Sequence, residues 1–234
     1  MKRLSTALLA LAAALLMLLG GTQAYGSTVV VFNHQGNDPA PFGGNLASFF
    51  TANQTTPVVA LGIYNAPGDN GYVTDGYDIA VGLYDVTASS QVGSTVYFHH
   101  GVQYTTGGAY GLDIFQGFTA SLLAGHLYEV DTVGWNQTYY NESTSNGGPA
   151  PVFNGGAGAL TAATYSYYDS NSTSLDFPNA NNSPGTRDTN LYDAGTLEIT
   201  TPGGGVVPEP SSLMLLGTGL VGLAGFARRR FQRA

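Results

Sequence analysis

Acids, imidazoles and aromatic rings are the side chains of this chain with chemistry to offer, and their spacing limits what they can do. Asp69, Asp75 and Asp78 lie in Asp69-Asn70-Gly71-Tyr72-Val73-Thr74-Asp75-Gly76-Tyr77-Asp78, an oxygen-rich stretch broken by glycine turns. Ca2+ takes roughly six to eight hard oxygen ligands on a flexible backbone, and such a stretch could supply several of them. The EF-hand spacing is absent, because counting back from Asp75-Gly76 puts Gly71 and Val73 where ligating side chains would stand. The stretch reads first as a solvated turn and second as a Ca2+ site, and no other cofactor is implied.

Glu129 and Asp131 would share one face of a strand, with side chains about 6–7 Å apart. That is near the separation of the carboxylate pair in glycoside hydrolases. Any two acids at this spacing achieve it, however, and no neighbouring residue marks either as buried, so the pair reads as strand-end or solvent-facing. His34, His99, His100 and His126 contain no His-x-x-x-His pair for a metal, and all read as polar residues at strand ends. Trp135, Tyr139, Tyr140, Tyr165, Tyr167 and Tyr168 flank polar loops. Flat amphipathic rings beside amides and hydroxyls suit stacking on sugars, although tyrosine is also an ordinary strand residue. There is no Gly-x-Ser-x-Gly elbow, and a phosphate loop needs a lysine that Ser27–Val207 lacks. No residue is assigned a catalytic role.

Strands must position these groups. Thr28 to Phe32 and Val58 to Tyr64 are rich in β-branched residues, the second bounded by Pro57 and by Pro67-Gly68-Asp69-Asn70-Gly71. In Tyr77 to Tyr84 the residues Tyr77, Ile79, Val81 and Leu83 fall on one face at period two. Val92 to His99, Leu112 to Phe118, Leu127 to Trp135 and Thr196 to Thr200 continue the series. No capped amphipathic stretch long enough for a helix occurs between them. The expected fold is all-β, an antiparallel sandwich of jelly-roll-like or Ig-like form over residues 27–201. From Asn136 to Asn190 the pattern fades into Asn, Ser and Gly, which predicts long surface loops around one or two strands.

Charge narrows the partners. Of the fifteen acidic residues only Glu209 lies outside Ser27–Val207, and of the seven basic ones only Arg187 lies inside. That stretch therefore carries fourteen acids against one base, a formal charge of −13. Such a surface repels phosphate backbones and anionic headgroups, which argues against nucleic acid and peripheral lipid as partners. The chain contains no cysteine, so burial and hydrogen bonding must hold the fold without disulfides or thiolate metal sites.

Both ends read as addresses. Lys2-Arg3, the apolar run Leu4 to Leu19 and the small residues after it have the layout of a secretory signal peptide over residues 1–26. Signal peptidase would cut after Ala24 or Gly26. A glycine-rich linker, 202–207, leads to the tail, 208–234: Pro208-Glu209-Pro210, an apolar run from Leu213 to Ala227, then Arg228-Arg229-Arg230. The run is 15 residues long, short of the roughly 20 that cross a bilayer comfortably, as befits a temporary transmembrane helix. The arginines stay cytoplasmic, so the Pro-Glu-Pro end faces outward.

The order of motif, span and arginines from Val207 to Arg230 resembles the PEP-CTERM sorting signal of Gram-negative bacteria. The resemblance implies that an exosortase, a membrane-embedded cysteine protease-like enzyme, recognises Pro208-Glu209-Pro210 and removes the tail. The membrane would hold the chain only before processing, with Arg228, Arg229 and Arg230 as the stop. It also implies a destination at the cell surface or in the extracellular matrix, in association with exopolysaccharide and biofilm. A second resemblance covers Val58 to Trp135. Val59-Ala60-Leu61-Gly62-Ile63-Tyr64, Val81-Gly82-Leu83-Tyr84-Asp85 and Leu122-Leu123-Ala124-Gly125-His126-Leu127-Tyr128 look like the layout of exported bacterial β-sandwich domains of uncharacterised function. It brings no catalytic residue with it. The expectation is a non-enzymatic surface or matrix component; its rivals are a carbohydrate-binding or adhesive module and a hydrolase. An exposed aromatic strip would favour the first rival, and a deep pocket with two buried carboxylates the second.

Overall fold

The computed structural model describes residues 27–36, 43–67, 69–73, 78–135, 142–143, 149–169, 173–175, 186–188 and 192–201. The expected signal peptide, linker and sorting tail, with the helices expected at both ends, lie outside them. Ser27–Thr201 form one compact unit. Its strands are β1 Thr28–Val30, β2 Phe32–Asn33, β3 Gly44–Ala52, β4 Thr56–Tyr64, β5 Ile79–Asp85, β6 Ser90–Phe98, β7 Thr105–Gly107 and β8 Asp113–Leu122. They continue with β9 Leu127–Trp135, β10 Glu142–Ser143, β11 Val152–Phe153, β12 Leu160–Asp169, β13 Thr186–Asp188, β14 Tyr192–Asp193 and β15 Gly195–Thr200. Among the described residues there is no helix.

Two antiparallel sheets carry the fold, one in the order β1-β15-β4-β8-β7 and the other β13-β12-β3-β9-β5-β6. The chain passes from one sheet to the other at β3 to β4, β4 to β5 and β8 to β9, and β15 returns to lie between β1 and β4. The four-strand blocks β1-β15-β4-β8 and β3-β9-β5-β6 follow the connectivity of a jelly roll, which settles the choice against the Ig-like arrangement. Leu61, Ile63 and Ile114 from the first sheet and Phe50, Leu83 and Val130 from the second share one buried cluster, which is the core between the layers. Phe50 and Tyr128 stack across β3 and β9, with ring centroids 5.8 Å apart.

The expected strands are present with shifted ends, except that Tyr77, where the third was to begin, lies outside the described residues. Thr28 to Phe32 is broken at Val31 into β1 and β2, and Pro57 lies inside β4 rather than before it. Sequence reading missed β3. Gly44-Asn45-Leu46-Ala47-Ser48-Phe49-Phe50-Thr51-Ala52 shows no clean alternation because β3 is buried on both faces between β12 and β9. A strand covered on both sides has no solvent face on which to alternate. At Gly93 the φ of 70° and the ring of Phe118, which stands where a Cβ would go, together require glycine in β6.

Candidate functional site

The acids singled out in the sequence are buried. On β9, Tyr128 and Val130 face the core, so Glu129 and Asp131 face outward from the second sheet. Both are 0% exposed, which overturns the expectation of a strand-end or solvent-facing pair. Apolar neighbours share that outer face. Ala47 and Phe49 form a small buried cluster there with Val86, Leu127 and Ala163, and Ser174, between β12 and β13, reaches Asn45. Phe49 and Tyr84 stand opposite Glu129 on the neighbouring strands, while Ala47 and Gly82 stand opposite Asp131. Asn45 Nδ2 donates to Asp131 Oδ2 at 2.8 Å and to the Ser174 carbonyl at 3.3 Å. A glycoside hydrolase pair must meet its sugar in a cleft, and a pair with no accessible surface does not.

Three of the four histidines bind aspartates through Nδ1. His34 Nδ1 lies 2.5 Å from Asp113 Oδ1, with both side chains 0% exposed. His126 Nδ1 lies 2.8 Å from Asp85 Oδ2, and His99 Nδ1 lies 2.8 Å from Asp78 Oδ2. In a body with Arg187 as its only permanently charged base, imidazoles are the partners left to carboxylates. Burial pushes the Asp113 carboxyl above its ordinary value, while the attraction of His34 and its hydrogen bond pull the other way. Burial, with repulsion from Asp113, also raises Glu198. Asp78 is held below its ordinary value by the hydrogen bond from His99 and by the backbone N–H of His100. Asp78 thus serves the turn that carries both histidines. In the weighed Ca2+ stretch, the Asp69 carbonyl accepts the Tyr72 N–H at 2.9 Å, and Asp75 lies outside the described residues.

The recurring motifs prove to be joints between turns. Asp85 Oδ1 accepts the Ala88 N–H at 2.9 Å, which closes the β5–β6 turn, and its other oxygen holds His126 in the β8–β9 turn. In that second turn Gly125 has a φ of 83°, and the Leu123 N–H donates to the Tyr128 hydroxyl at 2.7 Å. Gly62 lies against the ring of Phe115 on β8, where a side chain would collide.

Trp135 does not offer a sugar platform. It is 3% exposed, and its indole N–H donates to Thr132 Oγ1 at 2.8 Å, so its polar edge is satisfied within the fold. Tyr139 and Tyr140 lie outside the described residues; Tyr167 and Tyr168 belong to β12 by backbone register. Among the described residues, Tyr72, Tyr97 and Tyr110 present exposed tyrosine rings. Tyr97 is 52% exposed and lies nearly parallel to the His99 ring, with centroids 6.2 Å apart. No motif flagged these rings, and the signal available was only their place on β6 and in nearby turns. A dent of about 40 Å³ between Phe32, Phe49, Pro151 and Phe153 is far smaller than a small-molecule site of roughly 300–1,000 Å³.

Among the described residues no helix is long and apolar enough to cross a membrane. The tail is outside them, and there the sequence carries the information: residues 206–230 match the PEP-CTERM protein-sorting motif. No curated protein matches the chain. The protein carries a PEP-CTERM protein-sorting motif at its C-terminus, and that motif implies export and processing by an exosortase.

Proposed function

We propose that the jelly-roll body is a non-catalytic component of the cell surface or extracellular matrix, delivered by its sorting tail and associated with exopolysaccharide. The observation that supports this most is that Glu129, Asp131 and the His34–Asp113 pair are all 0% exposed. The acid pair whose spacing is that of a glycoside hydrolase has no surface open to a substrate, and the buried His34–Asp113 contact links residues 79 apart in the chain. The formal charge of −13 over Ser27–Val207 suits a hydrated, cation-rich polysaccharide matrix better than nucleic acid or lipid. Carbohydrate binding is the second reading, favoured by the near-parallel Tyr97 and His99 rings on the surface.

The test uses processed protein recovered from producing cells and exopolysaccharide extracted from the same cells. The proposal predicts co-sedimentation with the polysaccharide and no release of reducing sugar. Co-sedimentation that disappears in Tyr97→Ala favours the second reading. Hydrolysis that is lost in Asp131→Asn would overturn the proposal in favour of an enzyme.

A further inference from the structure

We propose that Tyr97, His99 and Asp78 form a subsite for a neutral sugar, which stacks on the two rings and donates hydrogen bonds to the carboxylate and the imidazole. The proposal rests on the second reading above and adds to it the residues of the site and the charge of the ligand. Side chains alternate along β6 and Phe98 is buried in the core, so Tyr97 and His99 both point away from it. Tyr97 is 52% exposed, and the side chains of His99 and Asp78 are 58% and 52% exposed. His99 joins the three. Its ring makes an angle of 12° with that of Tyr97, and its Nδ1 lies 2.8 Å from Asp78 Oδ2. Flat rings open to water beside a carboxylate match the two sides of a sugar, an apolar C–H face and a rim of hydroxyls.

The side chains are open, yet the backbone under them is fixed. Asp78 and His99 adjoin Ile79 and Phe98, which pair across β5 and β6. The His99 N–H donates to the Tyr104 hydroxyl at 2.6 Å, the His100 N–H donates to Asp78 Oδ1 at 3.0 Å, and Gln116 Nε2 on β8 donates to the Tyr97 carbonyl. The Tyr104 ring packs on buried Phe98, with centroids 4.9 Å apart. A platform held in place before its ligand arrives loses little freedom on binding.

The polar atoms at the site are mainly acceptors. The hydrogen bonds from His99 and His100 hold the Asp78 carboxyl below its ordinary value, so it is ionised at neutral pH and offers about four acceptor positions, of which those two bonds occupy a pair. Because an ionised carboxylate only accepts, His99 Nδ1 carries the proton, and in the neutral imidazole Nε2 then accepts as well. Sugar hydroxyls donate to such atoms. An acidic sugar would bring a second negative charge to Asp78 in a body of fourteen acids and one base, so the site selects a neutral glycan.

The test titrates processed protein recovered from producing cells, wild type and variants, with cellohexaose, laminarihexaose, mannohexaose and maltohexaose, and with hexagalacturonate and hexamannuronate as acidic controls. Calorimetry should find binding of at least one neutral hexasaccharide and of neither acidic one. Tyr97→Ala should weaken the neutral sugar about tenfold, the upper range for loss of one ring contact, with a melting temperature that shows the fold intact. His99→Ala should weaken it as well. Asp78→Asn keeps the shape but removes the charge, and should weaken the neutral sugar and lessen the discrimination against hexagalacturonate. Tyr110→Ala, another exposed tyrosine, should leave binding unchanged. The proposal is overturned if no neutral hexasaccharide binds, if an acidic one binds as tightly, or if Tyr110→Ala costs as much as Tyr97→Ala. Exopolysaccharide from the same cells separates this failure from that of the reading beneath it. Co-sedimentation that is lost in Tyr97→Ala while every neutral hexasaccharide fails overturns the neutral-sugar assignment and keeps carbohydrate binding, whereas co-sedimentation indifferent to Tyr97→Ala overturns both.

Discussion

His34–Asp113 and His99–Asp78 join the same residue types through the same imidazole nitrogen, yet their aspartates are pushed in opposite directions. The first pair has no exposed side-chain surface, and withdrawal from water raises Asp113 above 3.8 despite its histidine. In the second the side chains are 58% and 52% exposed, desolvation is minor, and the hydrogen bonds from His99 and His100 hold Asp78 below 3.8. The contact is the same in kind, so burial decides what the carboxylate does. The same lesson extends to Glu129 and Asp131. Their spacing is that of a catalytic pair, but their burial makes them part of the fold.

The largest expected effect breaks the buried pair. His34→Ala leaves Asp113 without its partner in the interior and should lower unfolding free energy by about 3–5 kcal/mol. His99→Ala, at the surface, should stay within about 0.5 kcal/mol. Urea denaturation of both variants checks the contrast, and similar losses would break it. A buried but neutral contact should fall between them. Thr132→Val removes the bond to the Leu46 carbonyl and strands the Trp135 indole N–H, at a cost of about 1–3 kcal/mol.

The smallest effects are in the pH dependence, where the two aspartates should have opposite signs. A depressed carboxyl contributes stability that is present above the ordinary value of 3.8 and is lost as pH falls through the folded-state value, so Asp78→Asn should flatten the acid limb. A raised carboxyl binds its proton more tightly when folded. Its contribution is present below 3.8 and is lost as pH rises through the raised value, so Asp113→Asn should flatten that opposite limb. Melting temperatures from pH 2 to 8 would show both, at settings fixed by the ordinary carboxylate range of about 4.

Much of the fold was legible because it is local. β4, β5 and β9 announce themselves by β-branched residues and alternation, and the sorting tail is a contiguous motif, Pro208-Glu209-Pro210 to Arg228-Arg229-Arg230. What could not be read depends on distant parts of the chain. His34 and Asp113 are 79 residues apart, and His126 and Asp85 are 41 apart, so no spacing rule links them. Ser174, which reaches Asn45 from beyond β12, comes from a stretch with no hydrophobic pattern, and Glu129 and Asp131 therefore looked exposed. Trp135 was misjudged for a related reason. A single tryptophan beside a polar loop fits a binding surface, but Thr132 on the same strand meets its N–H inside the core.

The claim that burial rather than residue type sets the role of these acids is tested most directly by carboxyl carbon NMR titration of the folded protein. The account predicts that Asp78 titrates below 3.8 and Asp113 above it. The reverse order, or a common value for both, would contradict it.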